Sequence, residues 1–124
     1  MADTKLILAA VAVAFEVSTT ELLSKTRRPD INRAKHAAAW LLRELPLRGG
    51  ARRSWPQVAE ALGLEAHASP ITSARAAEVL LQYDAAFTEA LADAGAVIAS
   101  RDTLAIDRWR AAFDYHRLAA CGGR

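Results

Sequence analysis

The sequence predicts an all-α fold, a compact helical bundle of about five to six helices containing a helix-turn-helix. Three observations predict it. Alanine, the strongest helix former, supplies 29 of the 124 residues. Glycine and proline together number ten, too few for the many turns of a strand-rich sandwich. Apolar residues also recur at spacings of three and four along most of the chain, the period of one helix face. At this length a single domain over residues 1–124 with its own core is expected.

The first helix is expected from Thr4 to about Phe15, with Leu8, Val11 and Phe15 on its apolar face. Its run LILAAVAVAF, Leu6 to Phe15, is as long as a signal-peptide core, but the flank MADTK adds no net positive charge beyond the amino terminus. The run is also far short of the roughly 20 residues that span a bilayer, so it reads as a core helix. Ser18-Thr19-Thr20-Glu21 is a capping box, in which the hydroxyl accepts from the amide three residues on and the glutamate returns to the cap amide. It opens a short helix from Thr19 to about Ser24, with Leu22 and Leu23 facing the core.

KTRRPDI, Lys25 to Ile31, is a basic, proline-containing connection, after which Asp30 or Asn32 caps a helix from about Asn32 to Leu45. Ala34, Ala37, Ala38, Leu41, Leu42 and Leu45 share one side of it, and the small residues invite a close neighbour. Pro46 and Gly49-Gly50 end it in the loop LPLRGGARR. Ser54-Trp55-Pro56-Gln57 repeats the cap signature, and the helix it opens runs through Val58, Ala59 and Leu62 to Gly63, a natural left-handed C-cap. Ser69 is then placed to cap a helix whose first residue is Pro70, where a missing amide costs nothing. These two helices make a helix-turn-helix pattern. Periodicity continues from Ile71 to Asp93 through Ala74, Ala77, Leu80, Leu81, Asp84, Phe87 and Leu91. Gly95 is read as an interruption, and Ser100-Arg101-Asp102 as the lead into a final helix bearing Leu104, Trp109, Phe113 and Leu118. Trp109, Phe113 and Leu118 build either a dimer or partner face or ordinary packing.

The formal charge of +2 hides an uneven distribution. Between Lys25 and Arg53 nine basic residues meet two acidic ones, a local +7, which leaves −5 for the remainder. An anionic partner at one face is the expected reading. Lysines and arginines that neutralise phosphates release counterions and supply most non-specific DNA affinity, while a helix start offers free amides to a phosphate. Catalytic chemistry is not expected. His36, His67 and His116 are isolated, none sits in an HExxH motif, and Gly49-Gly50 lacks the lysine and hydroxyl that complete a phosphate loop. The single Cys121 excludes an internal disulfide and a CxxC site. A cytoplasmic protein without metal, cofactor or membrane association is therefore expected.

VSTTELLSKTRRPDINRAKHAAAWLLREL, Val17 to Leu45, resembles the start of the C-terminal DNA-binding domain of the bacterial replication initiator DnaA. In that family a V-x(3)-DLLSK segment leads into a basic loop and a helix ending in EL. SWPQVAEALG, Ser54 to Gly63, is similar to the first helix of the family's helix-turn-helix. The resemblance covers roughly Leu6 to Leu81, so residues 6–81 are expected to form the DNA-binding part and residues 82–124 a C-terminal helical extension. It implies double-stranded DNA binding, with the basic loop in the minor groove and the second helix of the helix-turn-helix in the major groove. Carried over, Lys25, Arg27 and Arg28 become loop contacts, and Arg33 and Lys35 phosphate contacts near the next helix start. His67 matches the histidine of the family signature GRDHTTV and Ser69 one of its hydroxyl residues, while Thr72 and Arg75 follow on the reading helix.

This chain has LEAHASP, Leu64 to Pro70, where the family has GRDHTTV. Glu65 thus replaces an arginine, the residue type that makes the commonest bidentate contact to guanine. A five-residue expansion around RGGARR adds Arg52 and Arg53 beside the helix-turn-helix. With no ATPase module preceding it, the chain reads as a small stand-alone DNA-binding protein of the bacterial cytoplasm and nucleoid, a transcriptional or replication regulator. It is free to use its C-terminal helices for a homodimer or another protein. The alternative is a protein-interaction module that keeps the initiator-like fold without base-specific reading.

Overall fold

The computed structural model describes residues 4–26, 28–45, 51–64 and 70–101. They form six helices and no strand: α1 (Thr4–Ala14), α2 (Thr19–Leu22), α3 (Pro29–Glu44), α4 (Trp55–Ala61), α5 (Pro70–Tyr83) and α6 (Ala85–Arg101). The all-α expectation holds, and the tail beyond Arg101, with Trp109, Phe113 and Leu118, lies outside the described residues, as does Ser69.

The bundle is organised around α3, which packs against each of the other five helices and most broadly against α5. Its sequence explains that place. Ala37, Ala38, Ala39, Trp40, Leu41 and Leu42 are consecutive and all buried, so the middle of the helix is apolar around its whole circumference, the mark of a helix enclosed by others. The alanines keep α3 thin enough for several neighbours to close on it, and α5 answers with buried Ala74 and Ala77. Helix α6 lies on α1, where the Phe15 and Phe87 rings meet at 5.4 Å between centroids and 59° between planes. No helix among the described residues is long and apolar enough to cross a membrane.

Both capping boxes are present. Ser18 Oγ accepts from the Glu21 amide at 3.0 Å while Glu21 Oε1 accepts from the Ser18 amide at 3.0 Å. Ser54 and Gln57 repeat the exchange at 3.3 and 2.7 Å. Helix α4 ends as the glycine predicts: Gly63 has φ of +67°. Its amide donates to Glu60 O and that of Leu64 to Ala59 O, a Schellman closure. The same closure ends α1, with the Glu16 amide on Val13 O and the Val17 amide on Ala12 O, but there the left-handed position, φ of 58°, is held by Glu16.

Four local expectations are corrected. Helix α3 begins at Pro29 rather than near Asn32, and neither Asp30 nor Asn32 caps it. Proline at the first turn needs no amide and has its φ preset, so the proline of the connection starts the helix instead of preceding it. Arg28, just before it, is extended at φ −58°, ψ 138°. Helix α2 stops at Leu22, and Leu23 is 40% exposed rather than in the core. The helical stretch expected from Ile71 to Asp93 is split at Asp84, which ends α5 and caps α6 by accepting from the Phe87 amide at 2.9 Å. Gly95 does not interrupt α6. It is buried within the helix, where its conformational cost of about 1 kcal/mol is outweighed by packing.

Candidate nucleic-acid interface

The basic connection between α2 and α3 is built on short-range polar contacts. Ser24 Oγ donates to Glu21 O at 2.6 Å and accepts from the Thr26 amide at 3.4 Å, and Thr26 Oγ1 accepts from the Arg28 amide at 3.4 Å. From α3, the Lys35 ammonium reaches back and donates to Ser24 O and, at 3.3 Å, to Thr26 O. Lys35 is half-buried, and that burial lowers its pKa. Lys25 and Arg28 are exposed on this connection, Arg28 to 61%. Arg28 forms a fork with Asp30, Nη2 to Oδ2 at 2.8 Å and Nε to Oδ1 at 3.3 Å, with Glu21 at 3.6 Å. That pairing holds the Arg28 pKa above and the Asp30 pKa below their ordinary values. Ion pairs this exposed hold their partners weakly.

Arg33 is directed elsewhere. Its Nη1 lies 2.5 Å from Asp84 Oδ2, and its guanidinium carbon is 5.6 Å from the centroid of the Phe87 ring. The Arg33 hydrogen bond first, and the Phe87 amide second, push the Asp84 carboxyl down to about 2. Arg33 thereby ties α3 to the junction of α5 and α6. One residue from Lys35, the buried Nδ1 of His36 has no hydrogen-bond partner among the described residues. Burial, then the Arg33 charge, lowers the His36 pKa and so favours the neutral imidazole.

The neighbouring arginines Arg52 and Arg53 have opposite placements. Arg53 is 2% exposed. Its Nη1 donates to Leu42 O at 3.2 Å and Leu45 O at 2.9 Å, and Nη2 to Thr4 Oγ1 at 3.2 Å. It therefore satisfies carbonyls that the end of α3 leaves without helical donors and links them to α1. Arg53 is a brace inside the fold, away from the surface where DNA contacts were expected. Arg43 donates to Arg53 O at 2.5 Å and stacks over Trp55 at 4.4 Å from the ring centroid. Arg52 is exposed and pairs with Glu44 at 2.9 Å. Together with Arg75 and Glu78 of α5, Arg43, Arg52 and Trp55 line an open groove of about 290 Å³ between α3, α4 and α5. Thr72 is exposed one turn before Arg75.

The expected contact residues thus fall into separate groups. Lys25 and Arg28 share the connection that Lys35 holds from behind, and Arg52 and Arg75 flank one groove. Arg33 and Arg53 are engaged within the fold. Arg27, His67 and Ser69 lie outside the described residues. Sequence reasoning missed Arg43 as a groove residue, Glu44 as the partner of Arg52, and Asp84 as an anchor. A signal existed for Asp84, because aspartate favours helix caps over helix interiors.

Residues 4–76, more than half of the chain, match the family described as the bacterial dnaA protein helix-turn-helix. The match runs from α1 into the middle of α5 and takes in α4 and the first half of α5, the two helices of the helix-turn-helix pattern. No curated protein and no solved structure gives a match.

Proposed function

The chain belongs to the bacterial dnaA protein helix-turn-helix family, and from that membership we propose that it binds double-stranded DNA as a non-enzymatic regulator of transcription or replication in the bacterial cytoplasm. The observation that carries this reading is the family match together with cations at two of its expected contact points. These are Lys25 and Arg28 on the connection before α3, and Arg75 exposed on α5. The connection meets the minor groove or its phosphates, and the first turns of α5 approach the major groove. Arg52, at the groove between α3, α4 and α5, is placed to add a backbone contact.

The test is titration with duplex DNA over a range of salt, comparing the wild type with Arg27→Glu/Arg28→Glu. Affinity of the wild type falls steeply with salt, and the double variant binds more weakly with the slope of log K against log[salt] flattened by about one unit per lost phosphate contact. Equal binding by wild type and variant would sink the proposal. A second reading, a protein-interaction module without base-specific reading, is favoured by the way Arg28, Arg33 and Arg52 already hold carboxylates of this chain. Flat recovery from a random duplex library, alongside weak and salt-insensitive binding, selects that reading.

A further inference from the structure

We propose that Lys35 is a positioning residue for the connection between α2 and α3, and that its ammonium shapes the segment presenting Lys25 and Arg28 instead of contacting DNA itself. Two of the three ammonium donors go to the carbonyls of Ser24 and Thr26, on either side of Lys25. Turning both carbonyls onto one buried-side cation fixes the backbone of the residue between them, while the Lys25 side chain remains exposed. Elsewhere along the connection the contacts are local: the Ser24 and Thr26 hydroxyls accept from the Thr26 and Arg28 amides at 3.4 Å, and the exposed Arg28 pairs with Asp30 and Glu21. Lys35 thus ties this segment to α3, the helix that packs against each of the other five.

A side chain engaged in this way has a signature distinct from that of a phosphate ligand. Removing a phosphate ligand lowers affinity and also flattens the salt dependence by about 0.9 in log–log slope. Removing a brace lowers affinity because the free connection must be ordered on binding, and leaves the slope in place because the same phosphates are still neutralised. The inference rests on the DNA-binding reading for its effect on affinity, but its structural half does not.

The experiment uses the full chain with Lys35→Met, which keeps the aliphatic stem, and Lys35→Arg, which keeps the charge and the donors. Amide exchange of the free protein is expected to speed up by roughly five- to tenfold at Ser24, Thr26 and Arg28 in Lys35→Met, with Ala37 to Leu42 unchanged. Lys35→Arg restores the protection. With duplex DNA, Lys35→Met binds several-fold more weakly at unchanged salt slope, whereas Arg28→Ala shifts the slope. If Lys35→Met fails to fold, Lys35→Gln repeats both measurements with a neutral polar side chain. Unchanged exchange at the three amides overturns the proposal, and so does a slope that drops by about 0.9 in Lys35→Met, which makes Lys35 a phosphate ligand. A wild type that does not bind duplex overturns the DNA reading and the affinity half of this proposal, while the exchange arm still decides whether Lys35 braces the connection.

Discussion

Arg52 and Arg53 are identical in chemistry and adjacent in sequence, yet one is exposed and pairs with the partly buried Glu44 while the other lies inside the fold as a donor to two carbonyls at the end of α3. Their substitutions should separate cleanly. Arg53→Ala removes donors from buried carbonyls and leaves a void, so it is expected to lower stability by about 3 kcal/mol. Arg52→Ala loses one pair from an exposed arginine and is expected to stay within about 1 kcal/mol of wild type. Thermal melts followed by circular dichroism read both, and equal losses would contradict the brace assigned to Arg53. It follows that a DNA-binding defect in an Arg53 variant reports on folding before it reports on contact. Arg43 shows a related dual use, since its guanidinium donates to Arg53 O while stacking on Trp55.

Helix ends decide the register of this fold, and the two Schellman closures show how. At the end of α4 the left-handed position is Gly63, but at the end of α1 it is Glu16 at φ of 58°. An L-residue with a Cβ is strained there by about 1–2 kcal/mol. Glu16 is exposed, so replacing it removes no core packing. Glu16→Gly is therefore expected to stabilise the protein by about 1 kcal/mol and raise Tm by a few degrees, in spite of glycine's entropic cost. A lower Tm would mean that Glu16 makes a compensating interaction stronger than the strain. The break between α5 and α6 follows the same logic, since a single residue serves both ends: the Asp84 amide completes α5 on Leu80 O, and its carboxylate caps α6.

At the scale of the whole molecule, the pair between Arg33 and Asp84 fastens the central helix to the α5–α6 junction, across 51 residues of sequence. Its contribution depends on pH with a definite sign. The Asp84 carboxyl is held at about 2, below its ordinary 3.8, so the pair stabilises the fold fully above about pH 4 and loses that contribution as pH falls from there to about 2. Asp84→Asn keeps an oxygen to cap α6 but abolishes the charge. Its stability deficit is expected to be largest near neutral pH and to shrink toward pH 2, measured by urea unfolding at a series of pH values. A deficit independent of pH would assign the effect to packing. The charge distribution has the same origin in assembly. The +7 segment between Lys25 and Arg53 is not a uniform basic face, because folding turns Arg53 inward and sets Arg28, Arg33 and Arg52 against carboxylates.

The sequence by itself determined the helical class, both capping boxes, the glycine closure of α4 and the family resemblance, because each rests on residues within a few positions of one another. The spacing of apolar residues also picked out Ala34, Ala37, Ala38, Leu41, Leu42 and Leu45, all of them buried, since a 3.6-residue period is a local property, but not Ala39 and Trp40, which are buried because other helices enclose α3. The tertiary structure alone decided which basic residues remain at the surface. Whether Arg33 faces solvent or Asp84, whether Lys35 extends outward or turns back to the carbonyls of Ser24 and Thr26, and whether Arg53 is buried all depend on which helices become neighbours. That is settled by the packing of the small residues of α3 against the rest of the bundle, and no local pattern in a basic segment carries it. Long cationic side chains reach several ångströms from their backbone, so their roles are assigned by what folding brings within that reach.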